Sequence, residues 1–183
     1  MATPSVGRAA AVAFPAILLL LGTVFAVAYL IIALLGLPAS FGPPLAVQIA
    51  GVVVVIVGIS VAGWVFAYRT PASMIVSTYI TFRKLFARET ISEPLGRKEP
   101  LVVTGPQKYV RHPLYFGVIT MAFGWALYGG ATFVLVGAVG LSLWFWLVLI
   151  PFEEKELKAL FGDQYTRYAG QVPMLIPFTK RKR

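Results

Sequence analysis

The chain has 183 residues, of which 58% are hydrophobic and 13% are charged, and its formal net charge is +9. This leaves too little polar surface for a soluble domain, so the composition predicts an integral membrane protein. The absence of cysteine excludes disulfides and cysteine metal sites, and the single histidine, His112, excludes a histidine cluster, so no metal site is expected. The positive charge indicates contact with anionic membrane lipids and not nucleic acid, because no aromatic-basic nucleic-acid module is present.

Four apolar runs are long enough to cross the roughly 30 Å of hydrocarbon in a bilayer. The first is too long for a signal peptide and is interpreted as a retained anchor. The second carries Gly58 and Ala62 on one face, which suits close helix packing within the chain or between protomers. Gly129 and Gly130 supply a turn before the fourth. The runs cover residues 9–37, 44–68, 113–129 and 131–152.

The charged residues are confined to three parts of the chain: the N-terminal flank, residues 69–111, and the region from Glu153 onward. The connections at 36–43 and 128–131 carry no charge. With four spans, both termini and the long central loop therefore share one side. The excess of lysine and arginine predicts that this side is cytoplasmic, in the cytoplasmic membrane of a prokaryote.

The central loop contains apolar residues at helical spacing, interrupted by Arg83 and Lys84. This pattern predicts an amphipathic interfacial helix, with a partly inserted fifth helix as an open alternative. The sequence thus predicts one all-α membrane domain, with the residues after 93 forming an irregular connector and the basic tail 180–183 contacting lipid. Its parts are two N-terminal spans (1–70), an interfacial helix and loop (71–100), and a hairpin with a C-terminal cover (101–178).

The loop before the third span combines positive charge with a helix start. Lys108 and Arg111 are cationic, His112 can donate or accept, and Pro113 suits the first helical position. The unpaired backbone N–H groups of that helix start form an intrinsic anion site. The loop therefore predicts binding of a carboxylate or phosphate, with an ordinary positively charged membrane flank as the alternative.

Glu153 and Glu154 follow directly on the fourth apolar run. Acidic groups at a membrane boundary are costly unless they are paired or functional. Adjacent helical residues point about 100° apart, so the two glutamates are expected to have different roles. A pair between Glu154 and Lys158 is the plain alternative, and Glu156 is expected to be solvated. Gly162 is expected to end this helix.

These residues carry a resemblance to a known family. The run Tyr109-Val110-Arg111-His112-Pro113-Leu114-Tyr115-Phe116-Gly117 is followed by a hairpin and then by Glu153-Glu154, Phe161-Gly162, Tyr165, Tyr168, Val172-Pro173 and Ile176-Pro177. This pattern, over residues 100–178, resembles the isoprenylcysteine carboxyl methyltransferase family and the related membrane phospholipid methyltransferases.

The resemblance implies a cytoplasmic pocket for S-adenosylmethionine, closed by Glu153 and Glu154 and covered by the C-terminal segment. We expect a catalytic role for Glu153, Glu154 and Arg111. The residues expected to bind the cofactor are Lys108, Tyr109, Val110, His112, Pro113, Tyr115 and Glu154.

The expected activity is methyl transfer to a lipophilic acceptor, such as an isoprenylcysteine-like carboxylate or a lipid amine. Eukaryotic members of the family carry an arginine shortly before the glutamate pair, but residues 146–152 contain no basic residue. A carboxylate acceptor would then depend on Arg111 or Arg167, and amines, thiols and phenols stay open, as does the oligomeric state.

Two other functions are kept as alternatives. Sterol reductases, which bind NADPH, have a similar His-Pro/Tyr/Gly pattern, but this chain is short and has no aspartate directly after Gly117. The other alternative is a non-catalytic membrane subunit whose basic face binds anionic lipid.

Overall fold

The computed structural model describes residues 4–87 and 100–179, and these are almost entirely helical. A 3-10 turn, Gly105–Lys108, precedes α4, and a π-helical turn, Phe145–Leu149, joins α5 to α6. The α-helices in the described part are α1 (Val6–Leu34), α2 (Leu45–Tyr68), α3 (Pro71–Ala87), α4 (Pro113–Gly129), α5 (Thr132–Trp144) and α6 (Ile150–Gln171). The predicted connector at 93–100, except for Pro100, and the basic tail 180–183 lie outside the described residues.

Three helical stretches are long and apolar enough to cross a membrane: Val6–Leu34, Leu45–Tyr68 and the continuous stretch Thr132–Gln171. Helix α4 is also apolar, but its 17 residues make it shorter. At a rise of about 1.5 Å per residue it lies at the lower limit for a span. The predicted all-α membrane fold is confirmed, and the four apolar runs correspond to these four stretches.

Helices α2 and α4 cross with their backbones in contact. A Cβ atom added to Gly58 would lie 2.7 Å from the Gly117 carbonyl oxygen, and one added to Gly51 would lie 2.8 Å from that of Gly124. Only glycine permits this distance between helix backbones. The close packing predicted at Gly58 therefore occurs within the chain, between α2 and α4.

Helix α3 packs against α1 and buries much of one face. Met74 and Phe82 are buried, as expected for an amphipathic helix, but Thr81 and Lys84 are buried too. Lys84 forms an ion pair with Glu156 of α6, whose other carboxylate oxygen lies 3.5 Å from the Thr81 hydroxyl.

The expectation that Glu156 is solvated was therefore wrong, since only 3% of this residue is exposed. Lys84 and Thr81 of α3 reach the Glu156 carboxylate, so this group faces another helix where the sequence pattern indicated water. Its buried charge is compensated by the Lys84 ammonium group.

Two backbone irregularities shape the last helical stretch. Pro151 has no N–H group to donate to the carbonyl oxygen of Leu147, and the π-helical turn ends two residues before this proline, at Leu149. Further on, Gly162 adopts φ 51° and ψ −124°, which divides α6 into two helical pieces. The predicted break at Gly162 is confirmed.

Candidate active site

A cavity of about 930 Å³, measured out to its open mouth, lies on the side of the molecule that carries the charged residues. Its walls come from the end of α2, from α3, from the start of α4 and from α6. The polar lining includes Arg111, His112, Tyr115 and Glu153, and the apolar lining includes Val65, Met74, Leu157 and Phe161.

Arg111, at the cavity wall, forms a bidentate pair with Glu154, which lies behind the wall. Arg111 donates from Nε to one Glu154 oxygen at 2.6 Å and from Nη2 to the other at 2.9 Å. Its Nη1 donates to the carbonyl oxygens of Ala169 and Val172, both at 2.8 Å. Four hydrogen bonds thus fix the guanidinium group and tie the loop before α4 to both pieces of α6.

His112 lies between the two glutamates. Its Nε2 is 3.1 Å from a Glu154 oxygen, and its Nδ1 is 3.5 Å from a Glu153 oxygen. Burial lowers the pKa of His112, but the hydrogen bonds and negative charges of Glu153 and Glu154 outweigh burial and raise the pKa above its ordinary 6.5. The protonated ring can donate to both carboxylates.

Glu153 has a different set of partners from Glu154. The Tyr115 hydroxyl donates to a Glu153 oxygen at 2.7 Å. The Tyr115 ring is sandwiched between His112, at a centroid distance of 5.7 Å, and Phe145 of the π-helical turn, at 4.7 Å. Glu153 lines the cavity and Glu154 does not. Apart from His112, which both carboxylates approach, the two glutamates have different partners. No pair between Glu154 and Lys158 occurs within the described residues.

The C-terminal segment after α6 folds back over the loop before α4. The backbone N–H groups of Arg111 and His112 donate to the carbonyl oxygens of Pro173 and Met174, at 3.0 and 3.1 Å. The Met174 side chain packs on the buried cluster around Phe145. The family resemblance had implied that this segment covers the pocket.

The structure brings together five of the predicted site residues at the cavity wall: Arg111, His112, Pro113, Tyr115 and Glu153. The other four lie elsewhere. Glu154 is behind the wall, and Val110 is buried outside it. Lys108 and Tyr109 are exposed, and the Tyr109 ring lies near Trp64 and Phe178.

Sequence reasoning missed several polar residues of the lining, among them Gln107 and Tyr165, and the contribution of α3. Tyr165 and Tyr168 belonged to the family pattern but had been given no role, and Tyr168 donates from its hydroxyl to the Gln107 carbonyl at 2.7 Å. Gln107 lies in the loop that was predicted to bind an anion, but its own side chain was not singled out. Within the described part of the chain, no cluster of three or more metal-ligating side chains is present.

Comparison with known proteins places this site in a family. The family model for phospholipid methyltransferases matches residues 47–164. Methanethiol S-methyltransferase of Crocosphaera subtropica is 37% identical over 54% of this chain and 36% of its own length. Methanethiol S-methyltransferase 1 of Bradyrhizobium diazoefficiens is 35% identical over 69% of this chain and 43% of its own length.

A plant protein shows a similar degree of identity over a shorter part. Protein-S-isoprenylcysteine O-methyltransferase B of Arabidopsis thaliana is 35% identical over 43% of this chain and 40% of its own length. In these three curated relatives the chain spans less than half of their length. No solved structure matches the chain. The family model covers more than half of the chain, including α2, α4, the hairpin and both glutamates, and the chain belongs to the phospholipid methyltransferase family.

Proposed function

We propose that the protein transfers a methyl group from S-adenosylmethionine to a lipophilic acceptor at the membrane surface. The observation that carries this proposal is the cavity in which Glu153 and His112 meet an apolar wall at the end of the membrane-spanning helices. A charged donor and an apolar acceptor need such a combination of surfaces. The family to which the chain belongs supports the same activity.

The lining fits the chemical groups of the donor. S-adenosylmethionine carries an ammonium group and hydroxyl groups, and the Glu153 carboxylate suits either. Its carboxylate suits the start of α4, where no side chain caps the backbone N–H groups. Buried, unpartnered polar atoms on Gln107 and Tyr165 offer further hydrogen bonds to the donor.

Arg111 is better suited to positioning than to binding the donor. Its guanidinium already makes four hydrogen bonds to Glu154 and to two backbone carbonyls. We therefore assign Arg111 and Glu154 to holding the loop, α6 and the C-terminal cover in place. Glu153 and His112 are the residues that face the reacting groups.

When bound, the donor supplies an electrophilic methyl group on a positively charged sulfur. The chain contributes orientation and a medium of low polarity. Met74, Leu157 and Phe161 give the cavity an apolar wall, and a medium of low polarity favours a transfer that neutralises charge. The two glutamates raise the pKa of His112 against the effect of burial, which favours the protonated ring as a hydrogen-bond donor. Glu153 is the group placed to accept a proton from a protonated acceptor.

For the acceptor we propose a neutral thiol carried on an apolar group. Arg111 is engaged with Glu154, Arg167 is exposed outside the cavity, and residues 146–152 contain no basic residue to hold an acceptor carboxylate. The lining also contains Arg69, at the end of α2, so the choice of a thiol rests chiefly on the relatives. Two of the relatives described above are named as methanethiol S-methyltransferases, which supports a sulfur nucleophile.

The test uses the purified chain in nanodiscs with labelled S-adenosylmethionine. We expect methyl transfer to alkyl thiols and thermal stabilisation by S-adenosylhomocysteine but not by NADPH. Glu153→Gln should lose most of both effects, whereas Asp163→Asn, an exposed carboxylate on the same helix, should keep them. Stabilisation by NADPH alone, or unchanged activity in Glu153→Gln, would contradict the proposal.

A further inference from the structure

Two buried polar side chains of the cavity have atoms without a hydrogen-bond partner among the described residues. They are the Gln107 side-chain oxygen and the Tyr165 hydroxyl. Gln107 is 7% exposed and Tyr165 is 3% exposed, and both line the cavity. Buried polar groups are nearly always paired in folded proteins, so each such exception calls for a physical explanation.

The Tyr165 hydroxyl lies near the Glu154 carboxylate. Burial first, and then the interaction with Glu154, raise the pKa of the Tyr165 phenol. The hydroxyl nevertheless has no partner that meets the distance and angle of a full hydrogen bond. Both Glu154 oxygens accept from Arg111. Tyr168, three residues later on the same helical piece, has its hydroxyl satisfied by the Gln107 carbonyl. The two tyrosines of this helical piece therefore differ in whether the hydroxyl has a hydrogen-bond partner.

The bond from Tyr168 also fixes where Gln107 lies. Gln107 belongs to the 3-10 turn before α4, and Tyr168 to the second piece of α6. Their hydrogen bond joins these two walls of the cavity, so that Gln107 and Tyr165 are presented from opposite elements to the same space. Both groups are neutral, which suits neutral hydroxyl and amino groups better than an ionic partner.

We propose that Gln107 and Tyr165 form a second recognition site of the cavity, which hydrogen-bonds the hydroxyl and amino groups of an adenosyl ligand. This inference rests on the proposed function. The Gln107 oxygen accepts from an N–H or O–H group of the ligand, and the Tyr165 hydroxyl donates to or accepts from another. A charged group of the ligand is recognised instead by Glu153, which lines the same cavity.

The proposal predicts opposite changes in stability and binding for Tyr165→Phe. Removing an unpartnered buried hydroxyl should leave the thermal stability of the ligand-free protein unchanged or raise it. The same change should weaken binding of S-adenosylhomocysteine about five- to tenfold, as expected for one lost hydrogen bond. Gln107→Met should weaken binding to a similar degree.

Tyr168→Phe is the matched control, because it removes a hydroxyl that has a partner. Its ligand-free melting temperature should fall. The measurements are thermal unfolding of the ligand-free protein in nanodiscs and calorimetric titration with S-adenosylhomocysteine.

Two results would overturn the assignment: Tyr165→Phe destabilises the ligand-free protein as much as Tyr168→Phe, or Tyr165→Phe and Gln107→Met bind the ligand as tightly as the unsubstituted protein. If the unsubstituted protein does not bind S-adenosylhomocysteine, the proposed function fails as well.

Discussion

At the scale of single residues, the site depends on one histidine held between two carboxylates. Glu154 is occupied by Arg111, and Glu153 by Tyr115, so His112 is the group that links the two pairs. Only 6% of His112 is exposed. A buried imidazolium between carboxylates contributes to stability only while it stays protonated.

The raised pKa of His112 predicts how stability depends on pH. Burial opposes the charge, but the two glutamates raise the pKa above 6.5. The contribution of His112 to the free energy of unfolding is then complete below pH 6.5 and is lost as pH rises through the raised pKa. We expect the melting temperature of the parent chain to exceed that of His112→Gln most at acidic pH, with a difference that shrinks towards alkaline pH. A difference that grows with pH would contradict this.

At the scale of elements, the π-helical turn sets the orientation of α6. It places Phe145 against Tyr115, and eight residues later Glu153 meets the hydroxyl of the same tyrosine. An α-helix without the turn would bring these two positions to different angles around the axis. The turn is therefore part of how the glutamates reach the loop before α4.

Insertion of one alanine after Leu147 tests this role of the turn. Leu147 is 64% exposed, so its side chain contributes little to internal packing. The π-helical turn already accommodates one extra residue, so a second should rotate everything after it by about 100°. We expect insertion into the membrane to persist and binding of S-adenosylhomocysteine to be lost. Leu147→Ala keeps the residue count and should bind normally. Equal binding by the variant with the added alanine and by Leu147→Ala would show that the turn does not position the glutamates.

The crossing of α2 and α4 makes a separate prediction about stability. In Gly58→Ala the new methyl group would lie 2.7 Å from the Gly117 carbonyl oxygen and 2.9 Å from the Met121 nitrogen. Because both are backbone atoms, the helices must separate, at a cost of about 1–3 kcal/mol. Gly63→Ala on the same helix meets nothing within 4 Å. It should be neutral or stabilising by up to about 1 kcal/mol. Thermal unfolding of both variants checks the contrast, which equal melting temperatures would refute.

At the scale of the whole molecule, the sequence was informative where local rules decide the structure. Hydropathy predicted the spans, and the adjacency of Glu153 and Glu154 predicted that they point apart. Prediction from the sequence failed where the partner of a residue is remote in the chain. Glu156 was predicted to be solvated because its partner, Lys84, lies 72 residues away and meets it only in the folded chain. The cavity lining at Gln107 was missed for the same reason, since Tyr168 reaches it across 61 residues.

The distribution of charge over the molecule predicts its orientation in the membrane. In the described ranges, every charged side chain lies at or beyond the ends of the spans that lead to the cavity, and the turns near Ser40 and Gly130 carry none. Because lysine and arginine are enriched on the cytoplasmic side of membrane proteins, we expect the cavity to face the cytoplasm, which contains the proposed donor, S-adenosylmethionine. Ser40 lies on the opposite side, where it pairs with Ala131.

The absence of cysteine makes this orientation directly testable. Single cysteines at Ser5, Ser40 and Thr104 replace exposed or half-exposed side chains at the two ends of the helices. A maleimide that cannot cross membranes should label Ser40→Cys in intact cells. It should label Ser5→Cys and Thr104→Cys only in inverted vesicles, because the cavity side is then outermost. The cysteine-free parent is the control. Labelling of Thr104→Cys in intact cells would place the cavity outside the cytoplasm and remove it from the donor that the proposed reaction needs.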